Sequence, residues 1–271
     1  MTLRPETTAE AAEAVRSAPS LFIVGADRHR DWRVDVPAEA TVLDLSALSG
    51  IISIEPADQV AIVRAGTRVS QVQAELAAVN QTLPFAPFED GDDPSIGGAL
   101  SLALPHRLEG SCGTWRDWTL GMTVVRPSGV IAKCGSCAVK NVAGYDVGRL
   151  FIGARGVLGA IVEVILKTYP LKALPNPACE PLAEARGPRW VQRVPLGVRS
   201  HLLGKVIDDA TATLWTPLDP GQILPRFDHD WVIRSGCGSL NLPSIRYPEL
   251  FRRAKARFDP AGKFNAGAFG A

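Results

Sequence analysis

The sequence predicts a fold that mixes helices with strands, and three observations support this. A helix-capping pattern, Thr7 followed by Glu10, precedes an apolar run over 21–25 that suits a buried strand, so the chain opens as an α/β unit. Three β-rich runs separated by turn residues come next, at 41–45, 50–55 and 59–65. Later, apolar and polar residues alternate over 162–167, which is the period-two pattern of a strand with one buried face.

A helix is predicted over 68–79, directly after the third β-rich run. Thr67 precedes it and is the expected N-cap. Apolar residues at helical spacing form its expected buried stripe, namely Val69, Val72, Leu76 and Val79.

The composition of the chain changes over 83–103. Prolines and acidic residues precede a Gly-Gly pair, which is followed by small and apolar residues. This pattern predicts a loop that delivers the N-terminus of a helix. The backbone amides of Ser95, Ile96, Gly97 and Gly98 are expected to point at an anionic group such as a pyrophosphate. A tight turn with no ligand is the alternative for an isolated Gly-Gly pair.

The rest of the chain predicts further strands and a final helix. A strand over 117–126 is expected to turn at 127–129 and return over 130–133 as a hairpin. Residues 174–195 are rich in proline and mark a boundary. The segment 247–258 reads as an amphipathic helix with a basic, solvated face formed by Arg252, Arg253, Lys255 and Arg257.

Composition narrows the function classes. The 271 residues carry 29 Lys and Arg against 28 Asp and Glu, so no strong field recruits nucleic acid or an anionic membrane. No apolar run reaches the roughly 18–20 residues of a spanning helix, and a cytoplasmic location is expected. The 5 cysteines form no disulfide framework and are expected to be reduced.

Four motifs and a C-terminal tail carry a resemblance to a known superfamily. The motifs are Pro94-Ser95-Ile96-Gly97-Gly98, Gly113-x-x-Arg116-Asp117, Lys140-Asn141-Val142-Ala143-Gly144-Tyr145-Asp146 and Gly153-x-x-Gly156-x-Leu158-Gly159. The tail is Phe258-Asp259-Pro260-x-Gly262-Lys263-Phe264-Asn265. Together they resemble the FAD-binding domain of the vanillyl-alcohol oxidase/PCMH-type flavoproteins, and within them the glycolate oxidase FAD-binding accessory subunits.

The resemblance implies an α+β, PCMH-type FAD-binding fold of two α+β subdomains that hold an extended FAD, with a reduced C-terminal cap. The domain is expected over 1–170, a linker and reduced cap over 171–243, and a C-terminal helix and closing tail over 244–271. No metal site and no catalytic residue is assigned. The residues implied in cofactor binding are Ser95, Ile96, Gly97, Gly98, Gly113, Asp117, Gly156, Gly159 and Ile161.

The resemblance also implies a function, the flavin-mediated oxidation of a small 2-hydroxy acid such as glycolate. The expected partners are a larger flavoprotein subunit and an iron–sulfur subunit, through which the complex reaches the inner membrane. Three departures favour an alternative, a non-catalytic scaffold subunit with weak or absent FAD binding. The N-terminal phosphate loop keeps only Gly25 and adds Asp27, the apolar Val139 and Ala143 stand where catalytic relatives carry polar groups, and the cap is short.

Overall fold

A computed structural model describes residues 1–29, 36–87, 91–137, 147–177, 189–193, 205–208, 213–217, 232–235 and 248–265. The strands are β1 Thr2–Leu3, β2 Leu21–Val24, β3 Thr41–Asp44, β4 Ile51–Glu55, β5 Val60–Arg64, β6 Gln81–Thr82, β7 Thr119–Val125, β8 Ile131–Gly135, β9 Ala160–Lys167, β10 Tyr169–Pro170, β11 Arg189–Arg193, β12 Lys205–Asp208, β13 Thr213–Pro217 and β14 Val232–Ser235. The helices are α1 Thr8–Ser17, α2 Val69–Ala77, α3 Ile96–Leu102, α4 Glu109–Cys112, α5 Trp115–Trp118 and α6 Pro248–Phe258.

Two sheets build the N-terminal part of the protein. A parallel sheet has the order β1-β3-β2, and an antiparallel sheet has the order β4-β5-β9-β7-β8. A short antiparallel pair, β6 with β10, follows the larger sheet. Strands β11 to β14 form a separate antiparallel sheet in the order β12-β13-β11-β14. No helix within the described ranges is both long and apolar enough to cross a membrane.

Two hydrophobic cores share the larger sheet. One core packs α2 and α3 against β5, β7 and β9, and includes the fully buried Leu76 and Leu100. The other packs α1, β2 and β3 against the ends of β7 and β9, and it includes Phe264 from the C-terminal tail. Strand β9 therefore contributes side chains to both cores. Each buried leucine or phenylalanine stabilises the fold by about 2–3 kcal/mol.

The first helix confirms its predicted cap, whereas the second does not. The Thr7 hydroxyl accepts a hydrogen bond from the Glu10 amide. Helix α2 has Arg68 as its N-cap, without a side-chain hydrogen bond, so the prediction of Thr67 as the cap was wrong. The buried Thr67 hydroxyl instead accepts from the Gly50 amide at 2.9 Å and donates to the Arg64 carbonyl at 2.7 Å. The Thr67 hydroxyl thus connects the start of β4 to the end of β5 by hydrogen bonds, and it does not cap α2.

The strand predicted over 117–126 begins later, because a helical turn occupies its first residues. Thr114 and Asp117 form a reciprocal capping box that starts α5. Trp115 and Trp118 are buried, with ring centroids 4.2 Å apart. Packing of these two indoles, together with the cap, overrides the β propensity of the segment.

The C-terminal segment packs into the N-terminal part of the protein. The Leu21 amide donates to the Lys263 carbonyl at 2.8 Å, and the Asn265 amide donates to the Leu21 carbonyl at 2.9 Å. Phe264 is fully buried. The tail therefore extends the parallel sheet beside β2.

Lys255 departs from the solvated basic face predicted for α6. Its ammonium donates to the carbonyls of Val157 at 2.9 Å and Phe264 at 2.8 Å, and it pairs with the buried Asp259 carboxylate. Asp259 also accepts from the amides of Lys263 and Phe264. One ion pair thus holds the helix, the tail and the Val157 loop together.

The Asp259 pair predicts a measurable loss of stability. We expect Asp259→Asn to lower the free energy of unfolding by about 3 kcal/mol, because the Lys255 ammonium loses its partner in a largely buried place. Urea unfolding followed by circular dichroism measures this. Glu249→Gln is the matched control, since the Glu249–Arg252 pair is exposed and worth less than about 1 kcal/mol. Equal effects of the two substitutions would contradict the assignment.

Candidate functional site

An open cleft lies beside strand β2 and the start of α3. Strand β2 and the loop after it form one wall, and the start of α3 forms the floor. The glycine loop before β9 forms a second wall, and Asn265 from the tail lies between the two walls. Clefts lined by apolar side chains and a few polar groups are typical of sites for organic ligands and cofactors.

Ser95 organises the floor of the cleft. It is the N-cap of α3, and its hydroxyl accepts from the Gly98 amide at 3.3 Å and from the Ala26 amide at 3.4 Å. A Cβ atom on Gly25 would lie only 2.6 Å from this hydroxyl oxygen. Gly25 is therefore required by the packing of the β2 loop on the helix.

Three of the four amides that were expected to point at an anionic group, those of Ile96, Gly97 and Gly98, have partners within the protein. The Ile96 amide donates to the Thr67 carbonyl at 2.9 Å, and the Gly97 amide donates to the Ala65 carbonyl at 2.7 Å. The Gly98 amide is used by the Ser95 cap. An anionic group in the cleft is not bound by these three donors without breaking the bonds that hold α3 to the segment after β5, or the Ser95 cap.

Six of the nine predicted site residues line the cleft. They are Ser95, Gly97, Gly98, Gly156, Gly159 and Ile161. Ile96 is fully buried in the core beneath the helix. Gly113 and Asp117 do not line the cleft.

Asp117 and Gly113 form the turn that starts α5. The Asp117 carboxylate accepts from the Thr114 amide at 2.7 Å and from the Thr114 hydroxyl at 2.8 Å. Gly113 has φ of +80°, and a Cβ there would lie 2.8 Å from the carboxylate. This turn is near Tyr169, whose pKa is raised by burial and by the charges of Cys112 and Asp117. Gly113 and Asp117 are therefore explained by the local structure of the turn that starts α5.

The charged groups of the cleft carry both signs. Asp27, Arg28, His29 and Arg155 line it. Arg28 is exposed and donates to the Gly91 carbonyl, and the His29 ring lies 3.1 Å from an Asp92 carboxylate oxygen. Burial lowers the pKa of the Arg155 guanidinium to about 10, which leaves it charged at neutral pH.

Three cleft residues other than glycine adopt a left-handed backbone. The φ angles are +51° at Asp27, +51° at Arg155 and +42° at Asn265. Such conformations cost about 1–3 kcal/mol for most residues and persist where surrounding contacts enforce them, often at binding sites. The sequence analysis missed Arg155 and the side chain of Asn265. Arg155 lies inside the motif Gly153-x-x-Gly156, and this position was the signal that could have identified it.

Asn265 joins the two walls of the cleft. Its side-chain oxygen accepts from the Ile23 amide at 2.7 Å, and its side-chain nitrogen donates to the Arg155 carbonyl at 2.6 Å. A Cβ atom on Gly156 would lie 2.7 Å from that nitrogen. Gly156, with φ of +75°, therefore makes room for the tail.

One predicted motif falls outside the described residues. Residues 138–146 contain Val139, Lys140, Ala143 and Tyr145, so their part in the site stays a prediction. Within the described ranges, no group of three or more His, Cys, Asp or Glu side chains is arranged to hold a metal ion.

Comparison with known proteins identifies the domain. Residues 1–135 match the family described as the FAD binding domain. The N-terminal half of the chain belongs to the FAD binding domain family. FAD is its cofactor.

Curated relatives agree with this family. A glycolate oxidase subunit, GlcE of Escherichia coli, is 32% identical over 134 residues, covering 49% of this chain and 38% of the relative. The mitochondrial D-lactate dehydrogenase [cytochrome] of Arabidopsis thaliana is 32% identical over 131 residues, covering 48% of this chain and 23% of the relative. The glycolate oxidase subunit GlcD of Bacillus subtilis is 45% identical over 58 residues, which are 21% of this chain and 12% of that protein. The chain thus spans well under half of these relatives.

Solved structures show the same fold. A structure of alkyldihydroxyacetonephosphate synthase aligns with a TM-score of 0.53 and 15% identity, over 70% of this chain and 33% of the other. The fold is the α+β, PCMH-type FAD-binding fold.

The lining of the cleft suits FAD. Glycine backbone and apolar side chains such as Phe22 and Ile161 offer contact surface for a long, partly aromatic cofactor, and two arginines lie among the lining residues. When bound, FAD supplies the chemistry of hydride acceptance.

Gly98 gives a direct test of where the cofactor lies. A Cβ atom at this position meets only the Ser95 hydroxyl, at 3.0 Å, so a larger side chain extends into the cleft. We expect Gly98→Val to lower FAD occupancy at least tenfold, because the isopropyl group excludes the cofactor. Flavin absorbance per mole of protein measures occupancy. Ala74→Val puts the same side chain on the exposed face of α2 and serves as control. Unchanged flavin content in folded Gly98→Val would place the cofactor elsewhere.

Proposed function

We propose that the chain is the FAD-binding subunit of a 2-hydroxy-acid oxidase or dehydrogenase of the glycolate type. The observation that carries this proposal is the convergence on one cleft of the Ser95 segment, which lies in the matched FAD binding domain, and the Gly156 segment. The similarity to the glycolate oxidase and D-lactate dehydrogenase proteins supports a hydroxy acid as the electron donor.

In this proposal, the six cleft-lining residues contact the cofactor. Gly97, Gly98, Gly156 and Gly159 offer backbone surface, Ile161 packs against a ring, and Ser95 holds the floor. Ile96 supports the floor from the core side. Gly113 and Asp117 act only through the α5 turn.

The chain positions the cofactor, and the described residues exclude water from part of it. The floor beneath α3 is closed by Ile96, Ala99 and Leu100, all fully buried. A rigid, dry floor keeps a flavin ring in one orientation, which is the protein's main contribution to flavin chemistry. We assign no general base among the described residues.

The proposed partners are a larger flavoprotein subunit and an iron–sulfur subunit. Similarity to proteins named as glycolate oxidase subunits supports a multi-subunit enzyme. In such an assembly electrons pass from the flavin to the iron–sulfur subunit. The chain is then located in the cytoplasm, or at the inner membrane surface through its partner subunits.

Two observations favour a second candidate, a scaffold subunit that binds FAD weakly. The amides of Ile96 and Gly97 are used within the fold, and the acidic residue Asp27 is among those that line the cleft, where a negative charge disfavours an anion. In this alternative the fold is retained for assembly, and oxidation takes place in the partner flavoprotein.

One experiment separates the two candidates. The tagged chain, isolated from its native host, is expected to bring down a larger flavoprotein and an iron–sulfur protein. FAD attached to this chain is then expected to lose its oxidised absorbance band when glycolate is added without oxygen. Reduction confined to the partner's flavin would support the scaffold. A monomeric chain whose flavin no 2-hydroxy acid reduces would contradict the proposed function.

A further inference from the structure

The cleft has to accommodate the pyrophosphate of FAD, which carries negative charge. This step rests on the proposed function. The amides of Ile96, Gly97 and Gly98 already have partners, and the Ala26 amide faces the Ser95 hydroxyl. Asp27 is also among the lining residues and carries a negative charge. A cationic side chain in the lining stabilises such an anion.

Two arginines line the cleft, and their surroundings differ. Arg28 is exposed at the mouth, where water and salt screen its charge. Arg155 is half-buried in the glycine loop before β9, which also lines the cleft. A charge in a less polar environment acts on a nearby anion several times more strongly than an exposed one.

The backbone of Arg155 is held on both sides. Its amide donates to the Ser101 carbonyl at 2.9 Å, and its carbonyl accepts from the Asn265 side chain at 2.6 Å. Its φ of +51° is a conformation that arginine rarely adopts. Contacts from α3 and from the C-terminal tail thus impose this conformation on a residue that lines the cleft.

We propose that Arg155 is a cofactor-binding residue that supplies positive charge to the pyrophosphate of FAD. The planar guanidinium presents several N–H donors and binds phosphate oxygens in pairs, which a lysine does not reproduce. Asp27, which also lines the cleft, opposes this interaction through its negative charge.

The test compares ligands with and without phosphates on the purified full-length chain. FAD, ADP and riboflavin are titrated by calorimetry or by flavin fluorescence into the wild type, Arg155→Gln, Arg155→Lys, Arg28→Gln and Asp27→Asn. Arg4→Gln, on the surface outside the cleft, is the neutral control. Thermal unfolding of each variant without ligand shows whether it folds.

We expect Arg155→Gln to weaken FAD and ADP at least tenfold while riboflavin, which has no phosphate, binds as in the wild type. The affinity of Arg155→Lys for FAD and ADP is expected to fall at least threefold. The affinity of Arg28→Gln for the same ligands is expected to fall less than that of Arg155→Gln. Asp27→Asn is expected to strengthen the binding of FAD and ADP, because it removes a negative charge from the lining. Asparagine also tolerates the left-handed backbone at this position.

Three results would overturn the inference. These are equal losses for riboflavin and FAD in Arg155→Gln, a loss in Arg28→Gln as large as in Arg155→Gln, or unchanged affinities in folded Arg155→Gln. If Arg155→Gln does not fold, Arg155→Lys and Asp27→Asn decide, and unchanged FAD and ADP affinities in both would overturn it. A wild-type chain that binds neither FAD nor ADP would instead contradict the proposed function itself.

Discussion

The cofactor cleft depends on the attachment of the C-terminal tail to the N-terminal sheet. Asn265 bonds to the Ile23 amide in one wall and to the Arg155 carbonyl in the other. Phe264 anchors this contact in the second core, and the Lys255–Asp259 pair fixes the tail to α6. Residues more than 200 positions apart in sequence thus define one site. The FAD binding domain is completed by the far end of the chain.

This arrangement bears on how the anionic part of a cofactor is bound. Helix N-termini and glycine-rich loops bind phosphates through unpaired amides. Here three amides at the start of α3 have partners within the protein, and the β2 loop is packed on Ser95. The glycines at 25, 97 and 156 are explained by close contacts within the protein. In our proposal, the charge of the Arg155 side chain adds to the backbone donors of the cleft.

Much of the fold could be predicted from the sequence, because α1 has a clear cap and β9 and α6 have clear periodicity. The cofactor and six cleft-lining residues followed from the motifs. Three features could not be predicted. The capping box at Thr114 begins a helical turn where a strand was predicted. The Thr67 hydroxyl bonds to the Gly50 amide and does not cap α2. The Lys255 ammonium pairs with Asp259, although a solvated position was predicted for it. Each depends on a partner that periodicity does not reveal, and so does the Asn265 bridge.

The FAD affinity of Asn265→Ala tests the central claim most directly. This substitution removes both bridging hydrogen bonds and leaves the Phe264 anchor and the Lys255–Asp259 pair in place. Calorimetric titration with FAD is predicted to show at least tenfold weaker binding, because the Ile23 and Arg155 walls lose their connection. A folded Asn265→Ala protein that binds FAD as tightly as the wild type would contradict the account.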